Sequence, residues 1–162
     1  MITAKPDNLM MQVQPIAIGR PLIVGAGATL CTILIHALAL GATVNLFRRE
    51  TRLGYAGMRY VFDFTIVVLV MSFAFVAHVI EVAVWARLFV ILGEFHDFGA
   101  AFYHSAVNYT TLGYGDVIMS PAWKLLGPLE AADGALMFGV STGMIFAVIL
   151  RLTKTRFADL RD

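Results

Sequence analysis

The sequence is poor in charged residues and contains a single cysteine. Charged residues make up 14% of its 162 positions, whereas hydrophobic residues make up 59%. A soluble domain of this length cannot bury so much apolar surface, so the composition predicts a membrane protein with several spanning segments. The formal net charge of +1 argues against nucleic-acid binding as a main role. Because Cys31 has no second cysteine to pair with, no disulfide can form within the chain.

Several functional signatures are also missing. No internal repeat is visible, which disfavours a transporter assembled from similar halves within one chain. No segment carries arginine at every third position, as a voltage-sensing helix would. No nucleophile–base pair or metal motif stands out, so an enzyme is the least favoured class of function and no organic cofactor is expected.

Three apolar runs are long enough to cross a bilayer as helices, given a rise of about 1.5 Å per residue. They cover residues 22–47, 60–92 and 125–152. A fourth run, residues 98–109, is apolar and aromatic but would reach through only about half of the membrane. Non-helical backbone at membrane depth is tolerated only inside protein or beside water, so we expect this short helix and the segment after it to be re-entrant.

The first run has an alternative interpretation as a cleaved signal peptide, because Ala37-Leu38-Ala39 is similar to a cleavage site. The long segment before this run and the Arg48-Arg49 pair directly after it favour a retained helix instead. Basic clusters follow the first and third runs, and the positive-inside rule puts both in the cytoplasm with the N-terminus outside. Their members are Arg48, Arg49, Arg52 and Arg59, then Arg151, Lys154, Arg156 and Arg161.

The stretch Thr110-Thr111-Leu112-Gly113-Tyr114-Gly115-Asp116 lies between the short run and the third long run. Its backbone carbonyls can all face one axis only if successive residues alternate in handedness, and Gly113 and Gly115 can adopt positive φ without a Cβ penalty. A glycine-rich turn or a phosphate-binding nest is the alternative. It is disfavoured because a third glycine and a preceding strand are missing and the stretch ends in an acid.

This stretch resembles the signature filter of potassium channels, usually TTVGYGD, with Leu112 where valine is commoner. The resemblance implies that K⁺ ions bind to oxygen dipoles that replace their water shell. The implied ligands are the Thr111 hydroxyl and the backbone carbonyls of Thr111, Leu112, Gly113 and Tyr114. One chain would supply one wall of the pore, so the resemblance also implies a homotetramer surrounded by membrane lipid.

Four residues would support this filter, namely Gly115 and Asp116 within it and Tyr103 and Val107 on the short helix. Some bacterial members of the family carry a glutamate on that helix, paired with the filter aspartate, and Val107 matches this position. Asp116 therefore needs another partner. Tyr103 matches the position of a hydrogen-bonding aromatic residue in the family.

From residue 61 onward, the order helix, short helix, filter, helix resembles the two-transmembrane ion-channel module. The whole chain resembles small bacterial ion-channel proteins with one extra N-terminal helix. In the third long run, Gly134 matches a hinge glycine. With Phe138 toward the axis and about 100° per residue, the cavity and gate face comprises Ala135, Phe138, Thr142 and Phe146. A core-packing stripe would have the same period, so both interpretations stay open.

Ionisable residues within predicted spans are costly and usually functional. His78 and Glu81 are three positions apart and share a helix face, as do Glu130 and Asp133. We expect these four residues to form a polar network that braces the filter, and we interpret His36 as a packing residue whose hydrogen bonds are satisfied. A metal site is disfavoured, because no third helix face offers a converging ligand.

The predicted fold is an all-α membrane protein with three transmembrane helices, a re-entrant pore helix and a selectivity-filter loop. Its predicted domains are an outer tail (1–20), an extra helix with a cytoplasmic basic loop (21–59), a pore domain (60–152) and a cytoplasmic tail (153–162). The resemblance implies passive K⁺ conduction in a bacterial inner membrane and names no regulatory partner. A weakly selective monovalent cation channel and a non-conducting membrane scaffold or partner subunit are the alternatives.

Overall fold

The computed structural model describes residues 15–52 and 60–158. Residues 1–14, 53–59 and 159–162, which belong to the predicted outer tail, basic loop and cytoplasmic tail, lie outside the described residues. Within the described ranges all regular structure is helical, which confirms the predicted all-α class. The helices are α1 (Gly19–Arg52), α2 (Tyr60–Ile91), α3 (Phe98–Tyr109) and α4 (Leu126–Ala158).

Three of the four helices are long and apolar enough to cross a membrane. The candidate spans are Gly19–Arg49, Asp63–Ile91 and Leu126–Lys154. Much of their apolar surface faces outward, and Ile23 and Leu38 expose 77% and 75% of their surfaces. Hydrocarbon chains can cover such side chains, while each helix satisfies its own backbone hydrogen bonds. Arg59 and Arg161 lie outside the described residues, so the orientation in the membrane stays a prediction.

The helices α1 and α4 are longer than the sequence predicted. α1 begins at Gly19, so Pro21 lies in the first turn, where a missing N–H leaves no helical hydrogen bond unmade. Just before α1, the Ala17 N–H donates to the Pro121 carbonyl at 3.2 Å, which attaches residues 15–18 to the segment before α4. α4 continues beyond residue 152 to Ala158, because no glycine or proline interrupts it there.

A short connection leads from α2 into α3. Gly93 turns the chain with a φ of 76°. Asp97 then caps the start of α3, where its carboxylate accepts a hydrogen bond from the Ala100 N–H at 2.8 Å. With 12 residues, α3 is about 18 Å long, so it cannot cross a bilayer.

Two apolar cores lie at opposite ends of the bundle. The larger core packs α3 against the three long helices around the fully buried Trp85 and Tyr109. The smaller core packs α2 against α4 around Val70 and Val148, far along both helices from α3. The short helix and the segment that follows it are therefore held at one end of the bundle only.

Candidate functional site

The 110–116 loop, which follows α3 directly, has an alternating backbone. Thr111, Gly113 and Gly115 adopt positive φ values of 60°, 59° and 71°. The sequence predicted this conformation for the two glycines but not for Thr111. A threonine with positive φ is strained, because its branched Cβ crowds the neighbouring peptide groups, so the surrounding structure must hold it there.

The last turn of α3 holds the first half of this loop. The Val107 carbonyl accepts hydrogen bonds from the N–H groups of Leu112 at 3.0 Å and Gly113 at 3.1 Å. The Asn108 carbonyl accepts one from the Thr111 N–H at 2.8 Å. These three bonds hold the backbone N–H groups of Thr111, Leu112 and Gly113 against the end of α3. Val107 thus supports the loop through its backbone, while its side chain is buried.

A tyrosine holds the second half of the loop. The Tyr103 hydroxyl donates to the Asp116 Oδ2 at 2.8 Å, which is the partner that the resemblance implied for this acid. The Asp116 carboxylate raises the pKa of Tyr103, because loss of the hydroxyl proton would break this bond and place two negative charges together. Beyond the loop, Glu94 accepts from the backbone N–H of Ser120 at 2.7 Å and from its hydroxyl at 2.6 Å, so the returning segment is tied to the α2–α3 connection.

The loop and one face of α4 are open to the surroundings in the single chain. Leu112 and Tyr114 expose 55% and 67% of their surfaces, although both are large apolar or aromatic residues. The predicted cavity and gate residues Ala135, Thr142 and Phe146 are exposed as well. Phe138 is 37% exposed, and its ring packs against His78 and Tyr109 with centroid distances of 4.5 Å and 5.5 Å. The opposite face of α4 is buried. Exposed apolar surface of this extent is typical of a face that other molecules cover.

Gly134 lies where α4 crosses the end of α3. A Cβ at this position would be 2.0 Å from the Tyr109 carbonyl oxygen, so only glycine allows the two helices to approach this closely. This contact provides a packing reason for the glycine, and the hinge role stays a prediction. The backbone of Tyr109, which directly precedes the 110–116 loop, therefore packs against α4.

One predicted pair of acids, Glu130 and Asp133, binds groups from three other helices. The Glu130 carboxylate is hydrogen-bonded to the Ser105 hydroxyl of α3. Asp133 Oδ2 accepts from the Thr32 hydroxyl of α1 at 2.7 Å and from the Trp85 indole N–H of α2 at 2.9 Å. Both carboxylates are buried. Glu130 thus contacts α3, whereas Asp133 contacts Trp85 rather than the His78 and Glu81 side chains.

The other predicted pair, His78 and Glu81, lies in a larger cluster. We call it the histidine cluster, and it consists of His36, His78, Glu81, Tyr109 and Ser141. The Glu81 carboxylate is 2.9 Å from His36 Nδ1 and 3.2 Å from His78 Nδ1. The Tyr109 hydroxyl donates to the same carboxylate. Ser141 Oγ lies 3.0 Å from the Nε2 atoms of both histidines.

His36 is a packing residue with satisfied hydrogen bonds, as predicted, because both of its ring nitrogens have partners from other helices. One interpretation of the sequence is wrong, namely that no third helix face offers a converging ligand. A third helix does bring a converging ligand to His78 and Glu81, since α1 supplies His36. The sequence held a signal for this, because Thr32, His36 and Thr43 are spaced by four and seven residues on α1 and are all buried.

Comparison with family models gave one match, to a family described as ion channel, over residues 64–151. The matched segment covers more than half of the chain and runs from α2 through α3 and the 110–116 loop to α4. Comparisons with curated proteins and with solved structures found no match. Together with the three apolar helices, the match indicates an integral membrane protein that transports ions rather than an enzyme. The chain belongs to the ion channel family.

Proposed function

We propose that four copies of this chain form a potassium-selective channel, with residues 111–114 as the ion ligands. The observation that carries this proposal is the alternation of positive φ at Thr111, Gly113 and Gly115. Alternating handedness is what lets successive carbonyl oxygens face the same side of a strand, and rings of such oxygens replace the water shell of K⁺. In this proposal α3 is the pore helix.

The exposed surfaces support the tetramer. The loop side chains and much of the cavity stripe of α4, with Phe146 61% exposed, are open in the single chain. A four-fold assembly would turn the stripe toward the ion path and cover the loop by neighbouring copies. In the same proposal residues 60–152 form the pore domain, Gly134 is the hinge of α4, and α1 packs outside the path. The N-terminus lies outside a bacterial inner membrane and the C-terminus in the cytoplasm, as the basic clusters indicate.

A weakly selective cation channel is the second candidate, and one observation favours it. A cavity of about 190 Å³ lies behind the loop, lined by Val107, Gly113 and Gly115 among others, so the loop is not packed tightly against its own chain. Asp116 is held by a tyrosine that is itself 43% exposed. A loosely supported ring of carbonyls would discriminate less between K⁺ and Na⁺ than a rigid one.

Flux through liposomes containing the purified protein tests the leading proposal. We expect K⁺ to move down its gradient much faster than Na⁺, and Gly113→Ala to abolish this difference, because alanine at a φ of 59° is strained although nothing lies within 4 Å of the new Cβ. Gly41→Ala is the matched control, since that glycine also has open space but lies within α1. Equal K⁺ and Na⁺ flux in the parent protein would favour the second candidate, and no flux of either ion would contradict both.

A further inference from the structure

The histidine cluster has the composition of a metal site. His36 of α1 and His78 and Glu81 of α2 each offer a ligand atom, and these atoms all lie within 4.8 Å of one another. Bonds of 2.0–2.1 Å in a tetrahedral zinc site put neighbouring ligand atoms about 3.3 Å apart. His36 Nδ1 lies 2.9 Å from Glu81 Oε1 and His78 Nδ1 lies 3.2 Å from Glu81 Oε2, so each histidine is near this spacing from one oxygen of the carboxylate.

We propose that His36, His78 and Glu81 bind one divalent transition-metal ion, with zinc as the best fit, within the helix bundle of each chain. Two imidazoles and a carboxylate form a known type of three-ligand zinc set, in which a fourth position is left to a further ligand. Magnesium and calcium prefer oxygen ligands throughout, so they fit this set poorly. Burial favours tight binding, because Glu81 and His36 are 0% and 3% exposed.

The outer ring nitrogens have the partner that such a site needs. A metal-bound histidine usually donates its second N–H to an oxygen, which fixes the tautomer and orients the ring. Ser141 Oγ is 3.0 Å from the Nε2 atoms of both His36 and His78, and a hydroxyl oxygen has two lone pairs to accept both bonds. Both Nδ1 lone pairs then face Glu81, whose carboxylate also accepts the Tyr109 hydroxyl proton.

Hydrogen bonds alone leave this cluster with a mismatch. If both histidines are neutral and Glu81 is ionised, Ser141 can donate its single proton to only one of the two Nε2 atoms. The other histidine must donate its Nε2–H to Ser141. If it is His78, its Nδ1 lone pair faces Glu81 at 3.2 Å and the Tyr109 hydroxyl at 3.1 Å, and these two acceptors compete for the single Tyr109 proton. A cation between these atoms removes the conflict. A metal ion bound to both Nδ1 atoms and a proton on the second histidine would each remove it, and zinc binding distinguishes the two.

Metal binding at this site would also affect the 110–116 loop, an inference that rests on the proposed function. Tyr109 is the last residue of α3 and precedes the 110–116 loop directly, and its hydroxyl binds Glu81. A metal on Glu81 would fix this carboxylate and with it the position of Tyr109. Metal occupancy would then stabilise the conducting form of the loop.

Metal content and affinity of the purified full-length protein test the proposal without any measurement of ion flux. We expect one zinc per chain after treatment with a chelator, dialysis and titration with ZnCl₂, measured by elemental mass spectrometry and calorimetry. Zinc K-edge absorption should show two imidazole ligands. His36→Gln and His78→Gln should lose this stoichiometric binding, whereas His96→Gln, which alters an exposed histidine in the α2–α3 connection, should retain it.

Ser141→Ala provides a variant that keeps all three ligands. It should bind zinc about 10–100-fold more weakly, because the outer partner of both histidines is removed. Parent protein that binds no zinc, or that binds it equally well with His36 or His78 replaced, would overturn the proposal whether or not the protein conducts K⁺. A cluster that takes up only a proton would produce the first of these results.

Discussion

The 110–116 loop and the histidine cluster meet at Tyr109 but are built in opposite ways. The loop is contiguous in sequence, exposed in the single chain, and defined by backbone dihedral angles at Thr111, Gly113 and Gly115. The cluster is assembled from side chains of all four helices and is largely buried. A loop whose function depends on backbone atoms needs few specific side chains, whereas a buried polar cluster depends on each member being present and hydrogen-bonded.

The largest effect is expected at Gly134, where the loop end and the bundle touch. Gly134→Ala would place a Cβ 2.0 Å from the Tyr109 carbonyl oxygen, which is backbone and cannot rotate away. We expect a loss of stability of about 3 kcal/mol, at the upper end of typical overpacking, measured by unfolding in detergent. Gly143→Ala on the same helix has nothing within 4 Å and should change stability little. Equal stability of the two variants would show that α4 does not pack on the end of α3.

The next largest effect is expected at Asp133, which stands beside the histidine cluster and is buried like it. Asp133→Leu would leave the Trp85 indole N–H without its acceptor, at a cost of about 1–3 kcal/mol. The Thr32 hydroxyl would keep an acceptor, because the Thr29 carbonyl oxygen lies 2.8 Å from it. Asp133→Asn keeps an oxygen for both donors and should cost well under half as much.

Both Asp133 variants can be compared by thermal unfolding and by conduction. If Asp133→Asn is as unstable as Asp133→Leu, the negative charge rather than the accepted hydrogen bonds holds this part of the bundle together. If Asp133→Asn conducts and responds to pH like the parent, the carboxylate charge does not act on the loop.

Tyr109→Phe tests whether the two regions are coupled. The change removes one hydroxyl that donates to Glu81 and leaves the ring in its buried site, so we expect a loss of about 1–3 kcal/mol in stability. If the cluster also sets the position of the loop, the rate of K⁺ flux should fall in the same variant. A stability loss with unchanged flux and selectivity would show that the two regions act independently.

Tyr103→Phe is the matched counterpart on the loop side and should have the smallest effect on stability. Its hydroxyl bonds Asp116 at an exposed position, where water can replace the lost partner. We expect little change in unfolding but a clear change in selectivity or in the persistence of conduction, since this bond holds the second half of the loop. Unchanged conduction would mean that Asp116 is supported by another group in the assembled protein.

The same contrast explains what could be predicted from the sequence. Helix positions followed from uninterrupted apolar runs, and α3 occupies the predicted residues 98–109 because its length and its Asp97 cap are both local features. The positive φ of the two loop glycines was predictable, since glycine adopts it without a Cβ penalty. The positive φ of Thr111 was not, because it depends on hydrogen bonds to the α3 carbonyls.

The histidine cluster was predicted only in part, because its contacts join residues far apart in the chain. His78 and Glu81 share a helix face, so their proximity followed from helical periodicity. Helical periodicity does not indicate which face of α1 packs against α2. That packing brings His36 to Glu81, although the two residues are 45 positions apart in the sequence. The same holds for Thr32 and Asp133, which lie 101 positions apart.

The reversal potential of the parent protein in planar bilayers tests the proposed selectivity most directly. With K⁺ on both sides at a tenfold gradient, a K⁺-selective pore should reverse at about 59 mV. Replacing K⁺ by Na⁺ on one side should then shift the reversal potential much further, because Na⁺ would carry little current through rings of backbone oxygens at residues 111–114. A reversal potential near zero with equal K⁺ and Na⁺ on opposite sides would contradict the proposed filter.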